Sequence, residues 1–297
     1  MIRRYRVVHR TSYRYGAPMT DGYSVACLVP RPTEWQVVHD ADVHLDPAPT
    51  EWDSYIDAFG NLVTQFGLHE PHGEMTVEAV SDVEVTERPM PEDATPWEVV
   101  IDQTVALRDD LAIDVGYYRA SSKYVDVDAL AASLGPMARA AFTPGRPIVD
   151  ATSDLCRQIF EGFEFDPGFS NLATPLQDVL AARRGVCQDF AHLAVGCLRS
   201  IGLAARYVSG YIETLPPPGQ ERLVGADASH AWCSVWTPDA GWVDFDPTNG
   251  HLPVNDHVTV GWGRDYADVT PVRGVMIGPA TSQVLDVSVD MARLDGS

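Results

Sequence analysis

The chain has 297 residues, of which 45% are hydrophobic, a length and composition that allow two domains with apolar cores. Its 42 acidic residues against 21 basic ones give a formal net charge of −21. This balance argues against a nucleic-acid or anionic-membrane partner, because both bind basic surfaces. Five cysteines without a CxxC pair argue against a disulfide framework and against a thiolate zinc site.

The N-terminal residues and the hydropathy of the chain predict a cytoplasmic protein. MIRRYRVVHRTSYRY lacks the apolar segment of a signal peptide. The sequence also contains no run of 18 apolar residues, the length that would predict a membrane span. In a reducing compartment a cysteine nucleophile can persist.

Residues 1–95 predict an N-terminal antiparallel β domain. In YRVVHRTSYRY, odd-numbered apolar and aromatic residues alternate with mostly basic ones, and MTVEAVSDVEVTER alternates in the same way. DAFGNLV supplies a Gly-Asn turn between two extended runs. The basic face of the first run is expected either to contact the acidic core or to be solvated. The proline-rich RPMPEDATPW ends this domain.

The rest of the chain predicts alternating helices and strands. Residues 96–145 are interpreted as a helical or irregular connector packed on the core, and residues 146–280 as that core. TPLQDVLAARRG predicts a helix with Thr174 as its N-cap, and CQDFAHLAVGCLRSIG predicts the next helix. ARYVSGYIE, HAWCSVW and GWVDFDP predict strands, and residues 281–297 predict a C-terminal strand and tail.

Cys187 stands two residues after Gly185, at the start of a predicted helix. The unpaired N–H groups of a helix N-terminus carry partial positive charge, which favours a reactive thiolate and can hold an oxyanion. The N–H of Cys187 is one such donor. A lone cysteine at a helix start is nevertheless more often structural. Cys187 is therefore either a packing residue or a nucleophile that needs a base and an orienting group from elsewhere in the chain.

A predicted β-hairpin offers the base and the orienting group. Alternate residues of a strand share a face, which puts His230 on one strand and both Asp244 and Asp246 on the next. If Trp236 pairs with Trp242, His230 and Asp246 are diagonal neighbours within side-chain reach. An even-length loop or a bulge would separate them. Asp244 is the alternative partner, but it lies nearer the turn and so further from His230.

Three blocks of the sequence, GVCQDFAHL…RSIGLAARYVSGY, SHAWCSVW and GWVDFDPTNG, resemble the bacterial transglutaminase-like superfamily, which includes cysteine proteases and amidases. YRVVHRTSYRYGAPM, DAFGNLV and VGWGRDYADVTPVRGV resemble a branch in which a β domain precedes the core. The resemblance covers most of the chain. It implies an α+β fold, with a papain-like, transglutaminase-like core, and a catalytic triad of Cys187, His230 and Asp246.

The implied chemistry is thiol-dependent acyl transfer at an amide. Cys187 would form an acyl thioester, and His230 would protonate the leaving amine and then activate the acceptor. Water as the acceptor gives a peptidase or amidase, which we favour because water is abundant, whereas an amine gives a protein-glutamine transglutaminase. The expected partner is a peptide or another amide-containing substrate, and no cofactor or metal is implied.

Two other hypotheses remain. The chain is either a catalytically silent binding or scaffold module, against which the complete triad argues, or an enzyme held inactive until a partner or the N-terminal domain moves.

Further residues of the core have a structural and a functional interpretation. Trp232 follows His230 on its face, and it either belongs to the core or shields the base and lines the substrate site. Asp265 and Tyr266, in GRDYAD, are candidate substrate-lining residues, although a structural salt bridge in this segment is equally compatible. His192 lies about 140° around the helix from Cys187, so we predict a core histidine. Cys197 and Cys233 are predicted to be packing residues.

Overall fold

The computed structural model describes residues 1–91, 93–214 and 229–294 of the chain. The N-terminal strands are β1 (Ile2–Met19), β2 (Asp21–Ala26), β3 (Gln36–Asp46), β4 (Glu51–Ile56), β5 (Leu62–Leu68) and β6 (His72–Thr86). The helices are α1 (Trp97–Ala106), α2 (Asp109–Gly116), α3 (Val127–Ala141), α4 (Ile148–Gly162), α5 (Leu176–Ala182) and α6 (Cys187–Ser200). The remaining strands are β7 (Glu164–Phe165), β8 (Arg184–Gly185), β9 (Ala205–Ile212), β10 (Ser229–Thr237), β11 (Gly241–Phe245), β12 (His257–Gly263), β13 (Val272–Ile277) and β14 (Gln283–Arg293). Within these ranges, none of the helices combines the length and the apolar character that crossing a membrane requires.

Two antiparallel four-stranded sheets form the N-terminal β region, with strand orders β14-β1-β6-β3 and β13-β2-β5-β4. In β1 the odd positions from Tyr5 to Thr11 are buried, and they pair with the buried odd positions of β6, Val83 to Val77. The alternation in the sequence therefore predicts both strands and their buried faces correctly, and the structure shows that they pair. Gly60, whose φ is 78°, lies in the turn between β4 and β5, where glycine meets no steric penalty.

The basic face of β1 pairs with its own sheet. Its even-numbered residues Arg6 and Arg10 form ion pairs with Asp82 and Glu78 of β6. Arg3 is odd-numbered and shares the face of Tyr5, and it pairs with Glu213 of the core at 3.2 Å. This ion pair with the core therefore comes from the face opposite the basic one.

The C-terminal part of the chain returns to the N-terminal β region. β13 lies within residues 146–280, the segment predicted to be the core, yet it pairs with β2, and β14 pairs with β1. Both C-terminal strands therefore complete the sheets of the N-terminal β region. An unpaired edge of β1 or β2 would leave a row of backbone donors and acceptors open, and the two C-terminal strands cover it. Residues 295–297 of the predicted tail lie outside the described residues.

The core consists of one antiparallel sheet, β11-β10-β9-β12, with helices packed against it. Residues 189–199 of α6 are buried without interruption, as expected for a helix of small and apolar residues that other elements surround. The segment predicted to be a helical or irregular connector forms α1, α2 and α3, and Val100, Leu134 and Ala138 bury their side chains in the same apolar core.

Two polar side chains of the β region bind the core sheet at β12. The Gln36 amide donates to the carbonyl of Thr259 at 2.7 Å and accepts from its N–H at 2.8 Å. Asn61 forms the equivalent pair with Trp262, at 2.8 and 3.0 Å. Since β12 is the last strand of its sheet, these side chains take the hydrogen-bonding positions that a further strand would occupy.

Candidate active site

A capped turn places Cys187 at the first position of α6. α5 ends at Arg183 in the left-handed conformation, β8 follows, and Val186 is the N-cap of α6. The buried carboxylate of Asp189 accepts hydrogen bonds from the N–H of Val186 and the hydroxyl of Ser170. A Cβ on Gly185 would lie 2.8 Å from Asp189 Oδ2, so glycine is required here for the turn to close. Cys187 remains partly exposed at the positive end of the helix.

His230, the second residue of β10, faces this helix start. The Sγ atom of Cys187 lies 3.9 Å from the carbonyl oxygen of Ser229, the residue immediately before His230. His230 Nε2 lies 2.7 Å from Asp246 Oδ2. Because Nε2 is hydrogen-bonded to the carboxylate of Asp246, Nδ1 is the ring nitrogen that is available for a hydrogen bond with Cys187.

The strand register brings His230 and Asp246 together. Trp236 pairs with Trp242, and the ladder continues to Cys233 opposite Phe245, immediately before Asp246. The register on which the prediction depends is therefore confirmed, and the base and the carboxylate are neighbours on one face. Both are buried, with His230 7% exposed and Asp246 0% exposed, so little water competes for their hydrogen bond.

The electrostatics of the pair favour a charged imidazole beside a charged carboxylate. Burial by itself lowers the pKa of His230, but its hydrogen bonds to Asp246 and Cys187 outweigh this and raise the pKa to about 10. Burial opposes ionisation of Asp246 too, yet hydrogen bonds from His230 and His257 hold the pKa of Asp246 well below its usual range. The site therefore keeps His230 protonated and Asp246 ionised at neutral pH.

Two residues that the sequence interpretation missed hold the Asp246 carboxylate. The Asn249 side chain donates to Asp246 Oδ2 at 2.7 Å, and His257 Nε2 lies 3.0 Å from the same oxygen. The N–H of Thr248 donates to Oδ1 at 2.9 Å. In the sequence, PTNG shows only a turn, and His257 is separated from Asp246 by ten residues with no periodic relationship to it.

Asp244, the alternative partner of His230, is used elsewhere. It forms an ion pair with Arg88 and accepts a hydrogen bond from Ser234. Burial opposes its ionisation, but Arg88 and Arg206 lower the pKa of Asp244. The predicted preference for Asp246 over Asp244 therefore agrees with the geometry.

The three predicted substrate-lining residues differ in their accessibility. Trp232 is 0% exposed, and its ring stacks on His230 with centroids 6.0 Å apart. Asp265 is 1% exposed and accepts hydrogen bonds from the backbone of Tyr124 and Ala267. Both have no surface to offer a substrate, so the structure places Trp232 behind the base and makes Asp265 a cap. Tyr266 is partly exposed and stays a candidate for lining the site.

The neighbouring predictions concern packing, and the structure agrees with them. His192 is buried, and its Nε2 accepts a hydrogen bond from the N–H of Tyr266 at 3.1 Å. Cys197 and Cys233 are both buried. Arg264 forms the structural salt bridge anticipated for its segment, with Asp268 at 2.9 Å.

Among the described residues, one group has the composition of a metal site: His230, Asp246 and His257, whose ligand atoms lie within 4.8 Å of one another. Their separations of 2.7 and 3.0 Å are those of hydrogen bonds. These contacts hold the His230 ring and the Asp246 carboxylate in place.

Comparisons with known proteins match both parts of the chain. The model described as "Bacterial transglutaminase-like N-terminal region" matches residues 5–84, and the "Transglutaminase-like superfamily" model matches residues 137–247. An uncharacterized protein of Mycobacterium tuberculosis is 39% identical over 302 residues, covering 99% of this chain and 94% of its own. One from Mycobacterium leprae is 35% identical over 294 residues, covering 98% and 99%.

Two further similarities concern proteins with a stated activity. A protein-glutamine gamma-glutamyltransferase of Pseudomonas aeruginosa is 32% identical over 121 residues, which cover 38% of this chain and 18% of that protein. The crystal structure of a candidate cysteine protease from Cytophaga hutchinsonii has a TM-score of 0.76 at 22% identity, covering 100% of this chain and 92% of that one. At this identity the similarity establishes a shared fold.

Proposed function

We propose, since the chain belongs to the transglutaminase-like superfamily, that it catalyses acyl transfer from an amide through the thiol of Cys187, with hydrolysis as the main outcome. The observation that carries this proposal is the buried 2.7 Å hydrogen bond between His230 and Asp246, beside a partly exposed Cys187 at a helix start. Nucleophile, base and orienting carboxylate are the three parts that thiol catalysis requires.

The reaction would follow from these positions. His230 starts with its proton in place, and Sγ attacks the amide carbon as the thiolate to form a C–S bond. The N–H groups of the first turn of α6, including that of Cys187, donate to the oxyanion. As the C–N bond breaks, His230 gives its proton to the leaving amine. Water then gives a proton to His230 and attacks the thioester, and release of the Cys187 thiolate leaves a carboxylic acid.

Transfer to an amine is the second candidate function, favoured by the similarity to the Pseudomonas aeruginosa gamma-glutamyltransferase. Both reactions share the thioester and differ only in the acceptor. A catalytically silent binding module is the third candidate, and the retained triad argues against it. We propose the cytosol as the compartment, because all five cysteines are free thiols.

The first experiment maps the reactivity of each cysteine. We expect iodoacetamide to alkylate Cys187 near neutral pH while Cys27, Cys156, Cys197 and Cys233, all buried, stay unmodified in the folded protein. Burial also raises the pKa of Cys27 to about 12. His230→Ala should slow alkylation of Cys187 alone. If Cys187 reacts no faster than the buried thiols, the enzymatic proposal is wrong and the binding module is favoured.

The second experiment separates hydrolysis from transfer. Casein is incubated with the protein in the presence and absence of hydroxylamine, with Cys187→Ala as the control. New peptide termini indicate a peptidase, and ammonia without cross-linked casein indicates an amidase. Hydroxamate or cross-linked casein that forms only when Cys187 is present indicates a thioester open to amines. Deleting residues 1–95 is a poor test of an inactive state held by the N-terminal domain, because β13 and β14 would lose their pairing partners.

A further inference from the structure

A cavity of about 590 Å³ lies between the core sheet and the segment that follows β6. Arg206, Trp242 and Trp262 line it on the core side, and Trp35 and Pro89 line it on the other. Arg206 and Ser234 are cross-strand partners, and Trp232, which is 0% exposed, stands between Ser234 and His230 on β10. The cavity is therefore separate from the proposed active site.

Arg206 is the unusual residue of this cavity. It is 7% exposed, and its guanidinium lies 3.7 Å from the ring centroid of Trp262 and 4.5 Å from that of Trp242. Its side chain makes no hydrogen bond to any residue in the three described ranges, and its Nε is buried without a partner. Burying an N–H donor of a charged group without an acceptor is costly.

Arg199 is a buried arginine of the same core whose guanidinium is hydrogen-bonded within the protein. It is 3% exposed and donates to the carbonyl oxygens of Tyr118, Ala120, Ala205 and Arg264 and to a serine hydroxyl. Arg199 is buried to a comparable degree, and its side-chain donors have acceptors within the protein. The side chain of Arg206 has no acceptor among the described residues, which indicates an acceptor from outside the chain.

The surrounding charges define that acceptor. Arg88 and Arg206 both lie near the single carboxylate of Asp244, and Arg88 forms the ion pair with it. Asp244 balances only one of these two positive charges, which leaves the other for a ligand. Burial lowers the pKa of Arg206 to about 10, so it stays charged at neutral pH. Asp244 and the exposed Glu34 and Asp239, which also line the cavity, disfavour a ligand with two negative charges.

We propose that this cavity binds an organic monocarboxylate with an apolar body, whose carboxylate accepts hydrogen bonds from Arg206. The planar edge of a guanidinium matches a carboxylate in a bidentate pair. The apolar body lies along Trp35 and Pro89 toward the mouth, where Met90 and Val254 are exposed. A small carboxylic acid and the C-terminus of a peptide share this chemistry.

The test uses the Cys187→Ala variant, so that no thioester forms at the active site during the titration, and the Arg206 variant below separates the cavity from other binding sites. Hexanoate, N-acetyl-leucine, hexanamide and inorganic phosphate are titrated by calorimetry and by tryptophan emission. We expect both carboxylates to bind at least about tenfold more tightly than hexanamide and phosphate. The tighter of the two carboxylates identifies the source, because N-acetyl-leucine reproduces a peptide C-terminus. Equal binding of hexanoate and hexanamide, or preferred binding of phosphate, overturns the proposal.

Two variants test the role of Arg206. Arg206→Gln should lose the difference between hexanoate and hexanamide, whereas the matched Arg31→Gln should keep it, because Arg31 stacks on Trp262 at 3.3 Å but does not line the cavity. If Arg206→Gln does not fold, Val254→Trp, which narrows the exposed mouth, should weaken hexanoate binding about tenfold. Retained discrimination in Arg206→Gln, or unchanged binding in a folded Val254→Trp, contradicts the proposal.

Discussion

His257 and Asp246 are joined by a 3.0 Å contact between Nε2 and Oδ2, the carboxylate oxygen that also contacts His230. The other nitrogen of His257, Nδ1, lies 2.8 Å from Asp256 Oδ1. His257 thus lies within hydrogen-bond distance of two carboxylates. A row of polar contacts runs from His230 through Asp246 and His257 to Asp256.

Asp246→Asn should lower the rate of alkylation of Cys187 and any amide cleavage by roughly 10²–10⁴-fold. An asparagine amide does not stabilise the imidazolium, so His230 loses its preference for the charged form. Asp244→Asn is the matched control: it lies two residues away and binds Arg88, so it should reduce stability and leave the reactivity of Cys187 nearly unchanged. Comparable losses of reactivity in the two variants would contradict the assignment of Asp246.

His257→Gln should reduce activity by about tenfold, less than Asp246→Asn does, because one of the donors that fix the carboxylate is lost. The midpoint of the NMR titration of His230 should also shift, a response that loss of packing would not produce. The midpoint is used because the two rings lie 5.6 Å apart, so loss of the His257 ring changes the chemical shifts of His230 by itself. His251→Gln is the control, since His251 is exposed and its ring lies 5.8 Å from His257. A midpoint of His230 that does not change in His257→Gln would leave His257 a purely structural residue.

The pKa of His230, raised to about 10, predicts an imidazolium that persists above neutral pH. Between the unfolded value of 6.5 and about 10 the folded state binds more protons than the unfolded state. The stabilisation is therefore complete below pH 6.5 and is lost as the pH rises through 10. NMR titration of the ring should show this directly, and in Asp246→Asn the burial of the ring should bring the pKa down. A wild-type titration midpoint near pH 6.5 would show that His230 and Asp246 do not form a charged pair at neutral pH.

The site could be predicted from the sequence where its geometry depends on local rules. A glycine-terminated turn positions Cys187, and strand parity with the Trp236–Trp242 register places His230 beside Asp246. The supporting residues could not be predicted in this way. The bond between Asn249 and Asp246 depends on how one loop folds back, and the position of His257 depends on the pairing of β12 with β9, which is far away in sequence.

The same distinction explains the parts of the fold that differ from prediction. Thr174 is a residue type that is common at N-caps. Its hydroxyl instead accepts a hydrogen bond from the N–H of Asn171, and α5 begins at Leu176 with Pro175 as its N-cap. The alternation in β14 predicts a strand but not its partner. Its pairing with β1 joins the two ends of the chain, and no local pattern encodes a contact of that range.

Acid should destabilise the protein through a histidine that connects the β region to the core. His9 is 1% exposed, contacts the hydroxyls of Tyr211 and Thr11 at 3.0 and 3.1 Å, and has its pKa lowered by burial to about 4. Between pH 6.5 and 4 the unfolded state binds the extra proton, so this site should remove about 3 kcal/mol of the free energy of unfolding as the pH falls.

Urea unfolding at several pH values in this range gives the free energy of unfolding of wild type and of His9→Gln. The contribution of His9 is the difference between the two variants in how steeply this free energy changes with pH. Thr11→Val, which removes a contact but keeps the titrating ring, should retain the wild-type slope. Parallel curves for wild type and His9→Gln would mean that His9 is protonated as readily in the folded chain as in the unfolded one.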